Sequence, residues 1–67
     1  VSNDIEIAGE VKVETERAIL FFDGKVEEWV PKSQVSDYSV RGDDFDDWTD
    51  IDVIFIPEWL ALDKGFI

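Results

Sequence analysis

Asp23-Gly24 stands between two apolar runs, AILFF (Ala18 to Phe22) and KVEEWV (Lys25 to Val30), and this dipeptide most constrains the fold. Asp-Gly supplies the positive φ angles of a type I′ turn, whose twist matches that of two antiparallel strands. With Asp23 and Gly24 as the two loop residues, Phe21 falls opposite Val26 and Ile19 opposite Glu28. Trp29 then shares a face with Leu20 and Phe22. AILFF is apolar on both faces, which suits a central strand. Pro31 has no N–H to give to a ladder and stops the returning strand. The polar Lys32-Ser33-Gln34 after it reads as a tight turn or a single 3₁₀ turn.

Upstream, Ile5, Ile7, Val11 and Val13 alternate with Asp4, Glu6, Glu10, Lys12 and Glu14. Period two with one charged face predicts half-buried strand. Gly9 occupies an inward position, so the stretch is two short strands or one strongly bent one. Val35 to Val40 predicts another short strand, and Ile51 to Ile56 is the most apolar strand candidate. Pro57 suits the first position of a helix, Glu58 its first turn, and Lys64 with Gly65 its end. Trp59, Leu60 and Leu62 are expected to dock this helix on the sheet, with Phe66 folding back over its last turn. Four or five short strands and one short helix predict a mainly β domain over residues 1–67, a small SH3-like barrel curled from one antiparallel sheet. An open sheet packed by the helix, or two such sheets paired in a homodimer, are the other arrangements, so the chain is expected as a monomer or a homodimer.

Sixty-seven residues bury a modest fraction of their surface. Nine aromatic side chains compensate. There is no cysteine and no histidine, which removes disulfides, thiolate zinc sites, the usual general base and the commonest transition-metal ligand. The formal charge of −11 disfavours direct nucleic-acid binding and anionic membranes. It favours a basic protein partner or solubility alone. The expected location is the cytoplasm, and no cofactor is expected.

The charge concentrates in GDDFDDWTDID, Gly42 to Asp52, with six aspartates and no cation. Between Asp37 and Asp52 seven acids face one base, Arg41. Asp43, Asp44, Phe45, Asp46, Asp47, Trp48 and Asp50 therefore form the candidate protein-binding segment, aromatic anchors inside an electronegative rim. Phe45 and Trp48 have the spacing at which one helical turn points both the same way. The plainer reading makes them anchors that hold a solvated loop to the core. A helix-loop-helix calcium pattern fails in the registers that start at Asp43 and Asp44, because Phe45 or Trp48 falls where an oxygen ligand is required. An irregular, weak calcium site on Asp43, Asp44, Asp46 and Asp47 is the remaining metal alternative, and a fold independent of metal is expected. Carboxylate catalysis needs two acids in unequal environments across a cleft. The acids here fall on strand exteriors or in one loop, so a non-enzymatic domain is expected, with no catalytic residues.

ILFFDGK and EEWVPKSQV, between Ala18 and Val35, resemble a group of small uncharacterised phage and prophage proteins. In these a hydrophobic strand, a turn and a tryptophan-bearing strand lead into a W-(I/V)-P-K-S-Q segment. PEWLALDKG, Pro57 to Gly65, resembles their C-terminal ends. The resemblance covers about half of the chain and picks out Trp29, Pro31, Lys32, Ser33, Gln34 and Trp59. It implies a small accessory protein of a phage or mobile element, whose carboxylates imitate phosphates toward a nucleic-acid-binding host protein. A structural or scaffolding subunit without mimicry is the alternative. By their residue types, Ser33 and Gln34 are expected to hydrogen-bond backbone in the turn, and Lys32 to pair with a nearby acid.

Overall fold

The bend at Gly9 divides the first alternating stretch into two strands, and these belong to different sheets. The computed structural model describes residues 3–42 and 47–67. Strands β1 (Asp4–Ala8), β2 (Glu10–Glu14), β3 (Ala18–Phe22), β4 (Glu27–Pro31), β5 (Asp37–Val40) and β6 (Ile51–Pro57) precede the helix α1 (Glu58–Lys64). One antiparallel sheet has the order β1-β6-β5, and the other has the order β2-β3-β4. Short 3₁₀ turns at Lys32–Gln34 and Trp48–Asp50 lead into β5 and β6.

This architecture overturns the expected SH3-like barrel. The strands form two separate three-stranded ladders rather than one sheet curled on itself. The cause lies at the corner. A Cβ on Gly9 would stand 2.1 Å from the Phe22 carbonyl oxygen and 2.9 Å from Asp23 Cα, so only glycine allows the chain to press there and turn. Beyond the corner β2 joins β3, while the Gly9 N–H donates back to the Asp52 carbonyl of the other sheet at 2.8 Å. Strands that pass from one sheet to another at such bends are the usual corners of two packed sheets.

Each sheet contains one bulge. Val11 pairs with Phe21 but Val13 pairs with Leu20, which leaves Lys12 as an extra residue on β2. Ser39 pairs with Val53 and Val40 with Ile51, which leaves Asp52 extra on β6. An extra residue reverses the facing of the strand positions beyond it. Val13 therefore turns outward and is 44% exposed, contrary to its expected place with Ile5, Ile7 and Val11. The same reversal on β6 lets Ile51 and Ile54, an odd interval apart, both be buried.

Ile7, Val11, Ile19, Phe21, Val30, Ile51, Ile54, Ile56, Leu60 and Ala61 form one core fed by both sheets and the helix. The β3–β4 hairpin is longer than a two-residue turn. Ile19 pairs with Val30 and Phe21 with Glu28, two residues further along β4 than expected. An Asp23 carboxylate oxygen accepts from the Lys25 and Val26 N–H groups at 2.8 and 2.7 Å. This side-chain turn stabilises the wider loop. A slip of two preserves facing, so Trp29 still lies beside Leu20 on the outer face.

Gly65 closes α1 in the left-handed conformation at φ 83°, and its N–H donates to Ala61 and Leu62 carbonyls. The Phe66 N–H donates to the Ala61 carbonyl at 2.9 Å, which brings the Phe66 ring edge-on to Phe21 at 6.1 Å. The docking face differs from expectation. Leu60 and Ala61 are buried, whereas Trp59 and Leu62 are 60% and 59% exposed.

Candidate functional site

The acidic segment leaves the β1-β6-β5 sheet at the end where Val40 pairs with Ile51. The Arg41 N–H donates to the Asp50 carbonyl at 2.8 Å and draws its two stems together. Asp47 caps the 3₁₀ turn Trp48–Asp50, its Oδ1 accepting from the Thr49 N–H at 2.7 Å and the Thr49 hydroxyl at 2.9 Å. These bonds, the backbone one foremost, hold the Asp47 carboxyl below its ordinary pKa, with the Lys32 charge adding to the effect. Asp47 is exposed, while Trp48 and Asp50 are half-buried. Asp43, Asp44, Phe45 and Asp46 lie outside the described residues. So does most of the irregular calcium site; among the described residues no group of three or more acids is placed to hold a metal.

Trp48 packs against the core and has two further side chains beside its ring. The Tyr38 ring lies 5.9 Å away, tilted by 48°. The Lys32 ammonium stands 4.9 Å from the Trp48 ring centroid. Lys32 also pairs with the Glu14 carboxylate at 2.5 Å. The structure thus brings Lys32, from the turn after β4, onto Trp48, from the acidic segment. The acid partner expected for Lys32 is present, but it comes from β2, eighteen positions away. Tyr38 and Glu14 were not singled out by sequence. Tyr38 shares a row with buried Ile54, yet it sits on an edge strand and is 40% exposed, which leaves its ring for Trp48.

Pro31, Ser33, Gln34, Trp29 and Trp59 do not join this group. Pro31 ends β4 opposite Ala18. The Lys32 N–H donates to the Arg17 carbonyl and the Val35 N–H to the Lys32 carbonyl, which shapes the turn through backbone alone. Among the described residues neither the Ser33 nor the Gln34 side chain makes a hydrogen bond, contrary to expectation. Trp29 is 42% exposed and aligned with Leu20 and Val13 in one apolar row across the outer face of β4, β3 and β2. Trp59 lies on α1, far along the chain from both groups.

Charge in the described residues is held outward. Among them no polar or charged side chain is buried. On the edge of β2, Glu10 and Lys12 pair at 2.7 Å, and that hydrogen bond lowers the Glu10 pKa and raises that of Lys12. Lys12 also covers the Phe22 ring at 5.2 Å. No protein-family model, curated protein or solved structure matches the chain.

Proposed function

We propose that this chain is a non-enzymatic protein-binding module whose acidic end, around Asp43 to Asp50, engages a basic partner. The carrying observation is the mounting of Trp48. Lys32 and Tyr38 hold the indole against the core directly beside exposed Asp47, so the acidic segment is anchored at its base. An anchored charged segment loses less conformational freedom on association than a free one. The seven acids between Asp37 and Asp52 supply attraction for a basic surface and speed the encounter. The resemblance to small phage proteins favours a host nucleic-acid-binding protein as the partner, with the carboxylates standing for phosphates.

Affinity capture with the immobilised chain, repeated with Asp43, Asp44, Asp46 and Asp47 changed to asparagine, tests this reading. One defined partner should be lost with the substituted chain. Its association with the wild-type chain should slow as salt rises, because screening weakens exposed charge attraction. DNA or RNA should compete for a nucleic-acid-binding partner. A partner retained equally by the substituted chain refutes the role of the acidic end, and a failure of competition removes phosphate imitation alone.

A further inference from the structure

Asn3, Asp4, Pro57, Glu58 and Trp59 line an open cleft of about 420 Å³ at the other end of the β1-β6-β5 sheet. Asp4 pairs with Pro57 at that end, while Val40 and Ile51 pair at the acidic end. The seven residues of β6 separate the two by roughly 20 Å. The cleft is therefore distinct from the turn Trp48–Asp50 at the other end of β6.

Its walls are held by the fold. The Glu58 N–H donates to the Asn3 carbonyl at 2.8 Å and joins the start of α1 to the start of β1. The Ser36 hydroxyl shares its one proton between the Asp4 carboxylate at 2.6 Å and the Phe55 carbonyl at 3.1 Å, which ties the Asp4 side chain to the sheet. Leu60 and Ala61, buried next to Trp59, fix the backbone that carries the indole. Trp59 itself is 60% exposed, so most of its surface does nothing for the core. Pro57 and Trp59 are the apolar residues of its lining, Asp4 and Glu58 are the acidic ones, and among the described residues no cationic residue lines it.

We propose that this cleft receives a lysine or arginine side chain of a partner protein. The aliphatic stem would lie along Pro57 and Trp59, and the cationic head over the indole face, paired with Asp4 and Glu58. Both attractions select the same chemistry: an aromatic face draws a cation electrostatically, and a carboxylate adds a charge-assisted hydrogen bond. A second copy of the chain is a poor occupant, because each copy carries a charge of −11.

Titrating the isotope-labelled full chain with N-acetyl-lysine methylamide and N-acetyl-arginine methylamide, followed by two-dimensional amide NMR, tests the proposal. The norleucine analogue serves as the uncharged control. The cationic compounds should give saturable shifts at the Trp59 indole N–H and at the Asn3, Asp4 and Glu58 amides, and norleucine should give none. Trp59→Leu and Glu58→Gln should each weaken binding by about threefold or more. Equal shifts with norleucine, non-saturating shifts spread over the acidic surface, or unchanged affinity in both variants would overturn the proposal. Saturable shifts confined to the Asp47 and Asp50 amides would also overturn it, while leaving the acidic end as the binding site.

Discussion

The Lys32 ammonium sits 4.9 Å from the Trp48 ring centroid while paired with Glu14, and this one side chain ties the two sheets together outside the core. Lys32 follows β4 and Glu14 ends β2, both in one sheet, whereas Trp48 opens the turn that leads into β6 of the other. Replacing Lys32 by methionine keeps most of the stem and removes the charge, and should cost about 1 kcal/mol in urea unfolding. A double-mutant cycle with Trp48→Leu should return a coupling of about 0.5–1 kcal/mol. Additive effects would show that the ring and the ammonium are neighbours without being coupled.

Gly9→Ala should be among the most damaging small substitutions in the chain. The new methyl would meet backbone, the Phe22 carbonyl oxygen at 2.1 Å, which has no rotamer by which to yield. A loss of about 3 kcal/mol or more is expected, at or above the upper range of overpacking costs. Gly24→Ala is the comparison: its φ is 105° and the space around it is open, so only backbone strain of roughly 1–2 kcal/mol applies. Chemical denaturation of the two variants ranks them, and equal midpoints would contradict the corner geometry.

Periodicity located the strands because alternation reports facing directly, and Ile7 and Val11 are buried as their spacing requires, whereas AILFF, apolar on both faces, gave no sign that Ile19 and Phe21 are its buried side. It misplaced Val13 because the bulge at Lys12 leaves no mark in a pattern where a lysine already occupies an outward position. The bend at Gly9 was visible, but whether it curls one sheet or starts a second depends on its hydrogen bond to Asp52, a tertiary matter. The hairpin register slipped because the sequence shows an Asp-Gly pair without showing that the Asp23 carboxylate takes two backbone N–H groups. At the acidic end, Asp47 and Trp48 were legible as a charged residue beside an aromatic anchor. Lys32 and Tyr38, which hold Trp48, arrive from other elements and carry no local signal.

The Asp23 turn makes part of the stability pH-dependent. Bonds from the Val26 and Lys25 N–H groups, in that order, hold the Asp23 carboxyl below its ordinary pKa. A carboxyl depressed on folding contributes stability that is complete above the unfolded pKa. That contribution is lost as pH falls through the lower folded value. Asp23→Ala should therefore destabilise the protein at neutral pH, and the difference from wild type should shrink as pH falls below about 4. Urea midpoints measured for both proteins across pH 7 to 2.5 check this, and a gap that widens in acid would contradict the assigned bonds.

Leu60→Ala and Trp59→Ala should separate sharply, although Trp59 is the larger side chain. Three tryptophans suggest a core that needs all of them, yet the buried core contains none, and Leu60 with Ala61 supplies the whole buried face of α1. Leu60 is 3% exposed and its truncation leaves a cavity, at a cost of about 2–5 kcal/mol. Trp59 is 60% exposed, so its truncation should stay within about 0.5 kcal/mol, as for surface positions generally. Thermal and urea melts of the two variants give the comparison. A Trp59→Ala loss as large as that of Leu60→Ala would mean that the indole packs on the domain in solution, closing the cleft it lines.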